Sequence, residues 1–358
     1  MTKAKIIYQA KNLPVLQNRT YANKSEAQHC TCGNITLVQS PTTGIVFNQD
    51  FDLGIIHYDE NYQNEQANSL RFQNHLTEVS HVIHSHFNKN TLIEVGCGKG
   101  YFLERLQKQG LKITGIDPAY EGTNPNIIKE KFTPNINYHA DGIILRHVLE
   151  HIQNPVEFLA NIRNANNNQG RIYIEVPCFD WIRNNNAWFD IFYEHVNYFS
   201  IRDFRRIFTT IIESGHLFGG QYIYIVADLK NLRLPPYHFT DDVTLPANFL
   251  ASVNTSDLTS PSNKDQTTVI WGAASKGVIF SLFMARAGIT IDMVVDINPE
   301  KQNTYLPVTG HLVYAPEEAQ RRWNSSTVIF IMNSNYLDEI RAYTGNQFKY
   351  IAVDHENI

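Results

Sequence analysis

Long hydrophobic runs are missing from this chain. No stretch approaches the roughly 20 apolar residues that span a bilayer, and the start, MTKAKIIYQAKNLP, lacks a signal-peptide core. A cytoplasmic protein with no membrane partner is expected. An excess of one charge is missing too: 30 Lys and Arg stand against 35 Asp and Glu, a net charge of -5, and no basic run could track phosphates. Nucleic acid is not an expected partner. Cysteine is scarce, with four in 358 residues at Cys30, Cys32, Cys97 and Cys178, which excludes a disulfide framework and agrees with a reducing compartment. Apolar and aromatic material is plentiful. The chain is 43% hydrophobic, with 20 Phe, 18 Tyr and 4 Trp, so it can bury substantial cores and wholesale disorder is excluded. At roughly 100 to 200 residues per domain, its length favours two or three domains.

Residues 1–85 hold short β-like pieces, ITLVQ and GIVFN, between the turn-formers NKS, CGN and SPTTG. They read as a small, irregular N-terminal domain. Within this part, Leu70, Phe72, Leu76, Val79, Val82, Ile83 and Phe87 recur near helical spacing and predict an amphipathic lead-in helix. From residue 91 the order is strand, glycine turn, helix, strand: TLIEV, GCGKG, YFLERLQKQ, LKITGID. A second such unit runs from GIILRHV through PVEFLANIRNAN, with Pro155 suited to a first helical turn, to RIYIEVP. Two βαβ units predict a doubly wound parallel sheet over 86–235. A Pro-, Ser- and Asn-rich stretch between about 230 and 266 predicts a boundary. Beyond it, TTVIW, GAASKG, SLFMARAG and IDMVVDINP repeat the pattern, so 236–358 is expected to be a second Rossmann-like domain. The expected fold class is α/β: a doubly wound Rossmann-like core, a small N-terminal domain and a Rossmann-like C-terminal domain.

The segment Glu94-Val95-Gly96-Cys97-Gly98-Lys99-Gly100 follows a strand and opens a helix, so its glycines allow a tight turn and close backbone approach by a ligand. It reads G-x-G-x-G, not the G-x-G-x-x-G of dinucleotide sites, which weakens a pyrophosphate reading. Asp117 ends the next strand, where a carboxylate can accept hydrogen bonds from both hydroxyls of a ribose. A nucleoside ligand is expected; a glycine turn with an acidic strand end and no ligand is the alternative.

These residues, together with Asp141-Gly142-Ile143-Ile144-Leu145-Arg146-His147-Val148-Leu149-Glu150-His151, resemble class I S-adenosylmethionine-dependent methyltransferases over roughly residues 90–225. More narrowly, RHVLEHI, IYIEVP and FYEHVNYFS are similar to sugar methyltransferases with an N-terminal zinc-binding domain and a C-terminal nucleotide-sugar-associated domain. WGAASKG and VVDINPEKQNTYLPVTG resemble that family's C-terminal segment. The resemblance implies S-adenosylmethionine as cofactor, with Glu94 in its loop and Gly96, Gly98 and Gly100 against the methionine moiety. It further implies that Asp117 holds the ribose and that Arg146 and His147 flank the adenine or the transfer site. Tyr62, with Tyr58 and Ser69, falls in YDENYQNEQANS, which resembles a stretch that closes over cofactor and substrate in relatives. A linker helix with a solvated polar face is the alternative there.

Tyr193-Glu194-His195-Val196-Asn197-Tyr198 gathers a carboxylate, an imidazole and two phenols after a helix-like aromatic stretch, AWFDIFY. Methyl transfer from a sulfonium is an in-line displacement, so the protein mainly positions the substrate and removes its proton. Histidine suits that task, with an ordinary pKa of about 6.5. In the family resembled, the substrate is a 4-keto sugar whose neighbouring carbon must lose a proton. His195 is therefore expected as base and Tyr193 as its partner or as donor to the developing enolate. Glu194 and His151 complete the candidate set. His147 and His151 could share one helix face and line the same pocket. A buried histidine satisfied by Glu194 or Tyr198 is the alternative for His195.

Relatives carry two Cys-x-x-Cys pairs in the N-terminal domain, a closed zinc site of four thiolates. Here Ser40-Pro41-Thr42-Thr43-Gly44 stands where the second pair is expected, and His29, Cys30 and Cys32 are too few ligands, so no metal is expected. In the third domain, Gly272-Ala273-Ala274-Ser275-Lys276-Gly277 lies between strand and helix, a geometry suited to an anion. Asp296 ends the next strand like a ribose-binding acid, which keeps an NAD(P)-dependent oxidoreductase in view although G-x-G-x-x-G is absent. The resemblance instead implies a nucleotide-linked sugar with Ser275 and Lys276 near its phosphates. A domain kept for packing alone is the alternative.

The expected function is methyl transfer from S-adenosylmethionine to a nucleotide-linked sugar, in the making of a surface polysaccharide or a glycosylated metabolite, led by carbon methylation beside a ketone. N- or O-methylation of a modified sugar, the oxidoreductase, and a cofactor-binding protein without catalysis are the alternatives. A homodimer is a base-rate expectation.

Overall fold

The N-terminal part is more regular than its sequence suggests. The computed structural model describes residues 5–87, 91–134, 139–233, 242–250 and 266–354. Ile6–Pro14 (β1) buries Tyr8 and Ala10 in alternation and then Leu13, the period of a strand with one face inward. After a short helix, Lys24–Gln28 (α1), the two expected β pieces fall in Cys32–Gln39 (β2) and Val46–Asn48 (β3). β1 pairs antiparallel with β2, and β2 with β3. The lead-in helix is Leu70–Phe87 (α2), which buries Phe72, Leu76, Val79, Ile83 and Phe87 along one stripe. Leu70, grouped with them by spacing, is 65% exposed because it stands off that stripe at the helix start.

The middle of the chain runs through Thr91–Val95 (β4), Tyr101–Lys108 (α3), Lys112–Ile116 (β5), Ile127–Ile128 (β6), Gly142–Arg146 (β7), Pro155–Ala165 (α4) and Arg171–Pro177 (β8). Phe179–Asn184 (α5), Asn197–Tyr198 (β9), Ile201–Ile207 (α6), Glu213–Leu217 (β10) and Tyr222–Asp228 (β11) follow. The 7-stranded sheet has the order β10-β11-β8-β7-β4-β5-β6. Its strands are parallel from β6 to β8 and antiparallel at β11 and β10. Val95 lies opposite Ile116 on one side and Leu145 on the other, so the chain leaves β4 for one neighbour and later returns to the opposite one. Such a reversal opens a crevice at the carboxyl end of β4, where Glu94 to Gly100 begins. β9 does not join this sheet. It pairs with β3, Val46 opposite Tyr198, and completes a 4-stranded antiparallel sheet with the N-terminal strands.

Thr268–Trp271 (β12), Ser275–Arg286 (α7), Met293–Val295 (β13), Val313–Tyr314 (β14), Pro316–Gln320 (α8), Val328–Ile331 (β15), Leu337–Tyr343 (α9) and Lys349–Ala352 (β16) form the third part. Its 5-stranded parallel sheet, β14-β13-β12-β15-β16, reverses in the same way at β12, beside Gly272 to Gly277. The fold is thus α/β with two doubly wound sheets. The boundary expected between about 230 and 266 falls mostly on 234–241 and 251–265, outside the described residues. Among the described residues no helix is long and apolar enough to cross a membrane.

The aromatic stretch AWFDIFY is not a helix beyond the 3-10 turn Trp188–Asp190. Trp188, Phe189, Ile191 and Phe192 are all buried, so no polar face remains to make a surface helix. The segment instead fills the space between the N-terminal sheet and α7, with Trp188 stacked on Phe280 at 5.8 Å.

Candidate active site

Both sheet reversals open on one cavity of about 400 Å³, walled also by Asn18 and Tyr62 from the N-terminal part. That size lies within the range of small-ligand pockets. On the β4 side, Gly96, Gly98 and Gly100 all have positive φ, 75°, 55° and 81°, conformations that disfavour a side chain. A Cβ at Gly96 would run into Val148, whereas one at Gly98 would meet nothing within 4 Å, so the turn leaves an open cradle there. Asp117 braces this turn: Gly98 N donates to Oδ2 at 2.7 Å and Ala119 N to Oδ1 at 2.8 Å. Asp117 is not on the cavity wall, so the carboxylate expected to meet a ribose faces the loop's own amides. Glu94 is on the wall. Burial lifts its pKa to about 7 although Arg146 pulls it down, and its buried Oε2 has no hydrogen-bond partner.

Arg146 ends β7, where its Nε donates to Glu175 Oε2 at 3.2 Å and its guanidinium lies 4.3 Å from the centre of the Phe102 ring. Burial would push Glu175 up, but Arg146, His75 and His147 hold it well below the usual carboxylate range. His147 and His151 do not share a helix face. His147 has φ 52°, and Leu149–His151 is a 3-10 turn, because β7 ends there and the chain must bend toward α4. Both rings still reach the cavity. His147 places Nε2 3.2 Å from Glu175 Oε1 and Nδ1 3.3 Å from Glu150 Oε1. Burial disfavours its charge, yet these two carboxylates lift its pKa to about 9.

Of the Tyr193-Glu194-His195 run, His195 alone lines the cavity. Tyr193 is turned away. It is 1% exposed, stacks on Phe51 at 5.6 Å, and its hydroxyl accepts from Asp52 N at 2.8 Å, so the expected partnership with His195 is not present. Glu194 is buried behind the wall, accepting from Tyr62 Oη at 2.7 Å and from Gln17 N at 3.0 Å. His151 Nδ1 lies 2.9 Å from the Glu194 carbonyl oxygen, which can only accept, so Nδ1 carries hydrogen and donates. The His195 ring stands edge-on to His151 at 5.0 Å and against Phe192 at 3.9 Å. Among the described residues it makes no hydrogen bond, neither to Glu194 nor to Tyr198. Burial, and then the charges of His151, His147 and Lys276, hold its pKa well below the ordinary value, so it is neutral.

On the β12 side, Ser275 Oγ accepts from Asn18 Nδ2 at 2.9 Å. Lys276 is not an uncommitted charge: its Nζ is 3.1 Å from Asp190 Oδ2 and 4.8 Å from the centre of the Trp181 ring. Asp296 accepts from Ala273 N at 2.7 Å and Asn298 N at 2.8 Å, the same bracing that Asp117 provides in the first turn. Lys301, Asn18 and Glu150 also line the cavity, with Glu175 held by Arg146 and His147, and sequence reasoning gave none of them a role. Lys301 Nζ donates to Asn18 Oδ1 at 2.9 Å and to Ala273 O at 3.2 Å. No local pattern signals such a contact. Two groups of ligand-type side chains, His75–His147–Glu175 and Glu150–His151–His195, hold their donor atoms within 4.8 Å of one another. A charged His147 beside each carboxylate disfavours a dication at either, and neither is assigned to a metal. His29 turns its Nδ1 to Ser25 O at 2.7 Å, and the Cys32 thiol, by hydrogen bonding, lowers Cys30 to about 7.

Residues 67–211 match a family model described as a methyltransferase domain, and residues 250–350 match one described as a C-methyltransferase C-terminal domain. The ubiquinone biosynthesis O-methyltransferase of Rickettsia typhi is 26% identical over 129 residues, 32% of this chain and 49% of the relative. The chain spans about half the length of the curated relatives it matches, at 49% and 50%. Among solved structures, the plantazolicin methyltransferase BpumL with S-adenosylhomocysteine has a TM-score of 0.35 at 17% identity, covering 47% of this chain and 86% of its own. A SAM-dependent methyltransferase from Archaeoglobus fulgidus has a TM-score of 0.35 at 18% identity, covering 43% and 94%. Over residues 67–211 the chain is thus similar to a methyltransferase domain.

Proposed function

We propose, for a chain that joins a methyltransferase domain to a C-methyltransferase C-terminal domain, that it methylates a carbon atom of a small sugar carried on a nucleotide. The observation that carries this reading is the single cavity shared by the Gly98 cradle, the His151–His195 pair and the second glycine turn. The open cradle and the orphaned Glu94 oxygen fit S-adenosylmethionine, whose ammonium group could donate to that oxygen. When bound, the cofactor supplies an electrophilic methyl group on a sulfonium.

The chain's own residues position the acceptor and manage its proton. Tyr62, fixed by Glu194, borders the cavity from the N-terminal side. Ser275 and Lys276, at the start of α7, meet the nucleotide's phosphates, where backbone N–H groups favour an anion and Lys276 shares its charge with Asp190. His195 is neutral and can accept a proton. A histidine with so low a pKa is a weak base, so the carbon it deprotonates must be acidified by a neighbouring carbonyl. That requirement supports a keto sugar. The same weakness favours a second reading, methylation of a neutral amine on a modified sugar, which needs less base assistance.

The reading is tested by titrating the full chain calorimetrically with S-adenosylhomocysteine and, separately, with NADH, and then screening nucleotide sugars by mass shift. Binding of S-adenosylhomocysteine alone is expected, and binding of NADH alone would overturn the reading. His195→Ala is expected to lower turnover at least about 100-fold with cofactor affinity unchanged, as for loss of a general base. A loss of only several-fold would favour the amine, and full activity would remove His195 from the chemistry.

A further inference from the structure

Glu150 is a buried group on the cavity wall that this scheme leaves unused. It is 1% exposed, and apart from the contact of Oε1 with His147 Nδ1 its carboxylate has no hydrogen-bond partner among the described residues. Burying a carboxylate without hydrogen bonds is strongly unfavourable unless another charge compensates it. Compensation comes from one side, where His147 Nδ1 stands 3.3 Å from Oε1 while its Nε2 meets Glu175. The left-handed backbone at His147 holds the ring between the two carboxylates. On the other side, the donor atoms of Glu150, His151 and His195 lie within 4.8 Å of one another. His151 has its Nδ1 committed to the Glu194 carbonyl, and the His195 ring makes no hydrogen bond among the described residues. Each imidazole thus holds a ring nitrogen within 4.8 Å of a Glu150 carboxylate oxygen.

We propose that Glu150 is a positioning residue, a buried counter-ion that stabilises the imidazolium formed when the His151–His195 pair takes a proton from the substrate. The proposal rests on the reading that this site deprotonates its substrate. In the step, the bonding electrons of the broken bond stay with the substrate, the proton ends on an imidazole nitrogen, and Glu150 remains a carboxylate. Its field is aimed where positive charge develops, the arrangement by which preorganised groups lower a barrier. The other charged groups around the pair are already engaged. Glu194 accepts from Tyr62 and Gln17, Asp190 pairs with Lys276, and Glu175 serves Arg146, His75 and His147. His151, His147 and Lys276 all oppose a proton on His195, so a carboxylate is needed to offset them. The same cations disfavour a divalent ion on Glu150, His151 and His195.

The test is an NMR titration of the histidines in the full chain, with the pair assigned from His195→Gln and His151→Gln. Glu150→Gln is expected to lower the titration midpoint of the pair by about one pH unit, the effect of removing one nearby opposite charge. His147→Gln, which removes a cation, is expected to raise it. Midpoints unchanged in both variants overturn the proposal. If Glu150→Gln fails to fold, His147→Gln decides alone, an unchanged midpoint being the contrary result. Zinc added alone that binds stoichiometrically and abolishes the pair's titration would make the cluster a metal site, and would also overturn it. Failure of the wild-type chain to bind S-adenosylhomocysteine would sink the methyl-transfer reading but leave the titration result standing. With a substrate in hand, Glu150→Gln is expected to lower kcat roughly 10- to 100-fold at similar KM, and Glu150→Asp to recover part of the loss.

Discussion

Glu94 keeps an acid group 2% exposed, lifted by burial to about 7 against the pull of Arg146. An acid whose folded pKa exceeds its ordinary 4.5 binds its proton more tightly in the folded state. Its contribution to stability is full below about 4.5 and is lost as pH rises through about 7. Glu94→Gln is therefore expected to leave stability near wild type at pH 5 and to raise it by roughly 2–3 kcal/mol at pH 8, read from urea unfolding at the two pH values. Equal effects at both would mean that Glu94 titrates as an exposed acid. Tyr193, Glu194 and His195 show how far consecutive residues can diverge. The first hydrogen-bonds to Asp52, the second to Tyr62 and Gln17, and the third faces the cavity.

The two glycine turns are built alike but are expected to respond differently to substitution. At Gly98, φ is 55° and a Cβ would meet nothing within 4 Å. Gly98→Ala should cost about 1 kcal/mol of stability through its left-handed backbone, while its methyl group fills the cradle and lowers S-adenosylhomocysteine affinity at least about tenfold. At Gly277, a Cβ would run into the carbonyl oxygen of Gly272, so α7 packs against its own turn only because the side chain is absent. Gly277→Ala should cost about 3 kcal/mol through overpacking. Thermal unfolding and calorimetric titration of both variants check this. A Gly98→Ala chain with full affinity would show that the cradle does not hold the cofactor.

The cavity lies where the N-terminal segment meets the ends of both doubly wound sheets. Asn18 links these parts, donating to Ser275 Oγ and accepting from Lys301 Nζ, both at 2.9 Å. Lys301 is buried, so removing an acceptor leaves an ammonium group short of partners. Asn18→Ala is expected to cost roughly 1–3 kcal/mol, measured by urea unfolding, with little change in S-adenosylhomocysteine affinity because the Gly98 cradle is built from β4. A stability within a few tenths of wild type would mean that the link carries little of the contact between the parts. The N-terminal sheet is also tied to the middle of the chain by β9, which pairs with β3.

What the sequence determined by itself is local. Helical spacing marked α2, short apolar runs between turn-forming residues marked β4, α3, β5, β7, α4, β8, β12 and α7, and the glycines between strand and helix located both turns, because local backbone geometry imposes those patterns on neighbouring residues. The parallel order of the strands followed from the alternation of strand and helix. Tertiary structure decided the rest. It set β9 beside β3, turned Tyr193 away from His195, paired Lys276 with Asp190 and brought Glu150 between His147 and the histidine pair. Each of these contacts depends on how separate elements pack, and on burial that strips water from charged groups until they must find one another, which no spacing along the chain encodes.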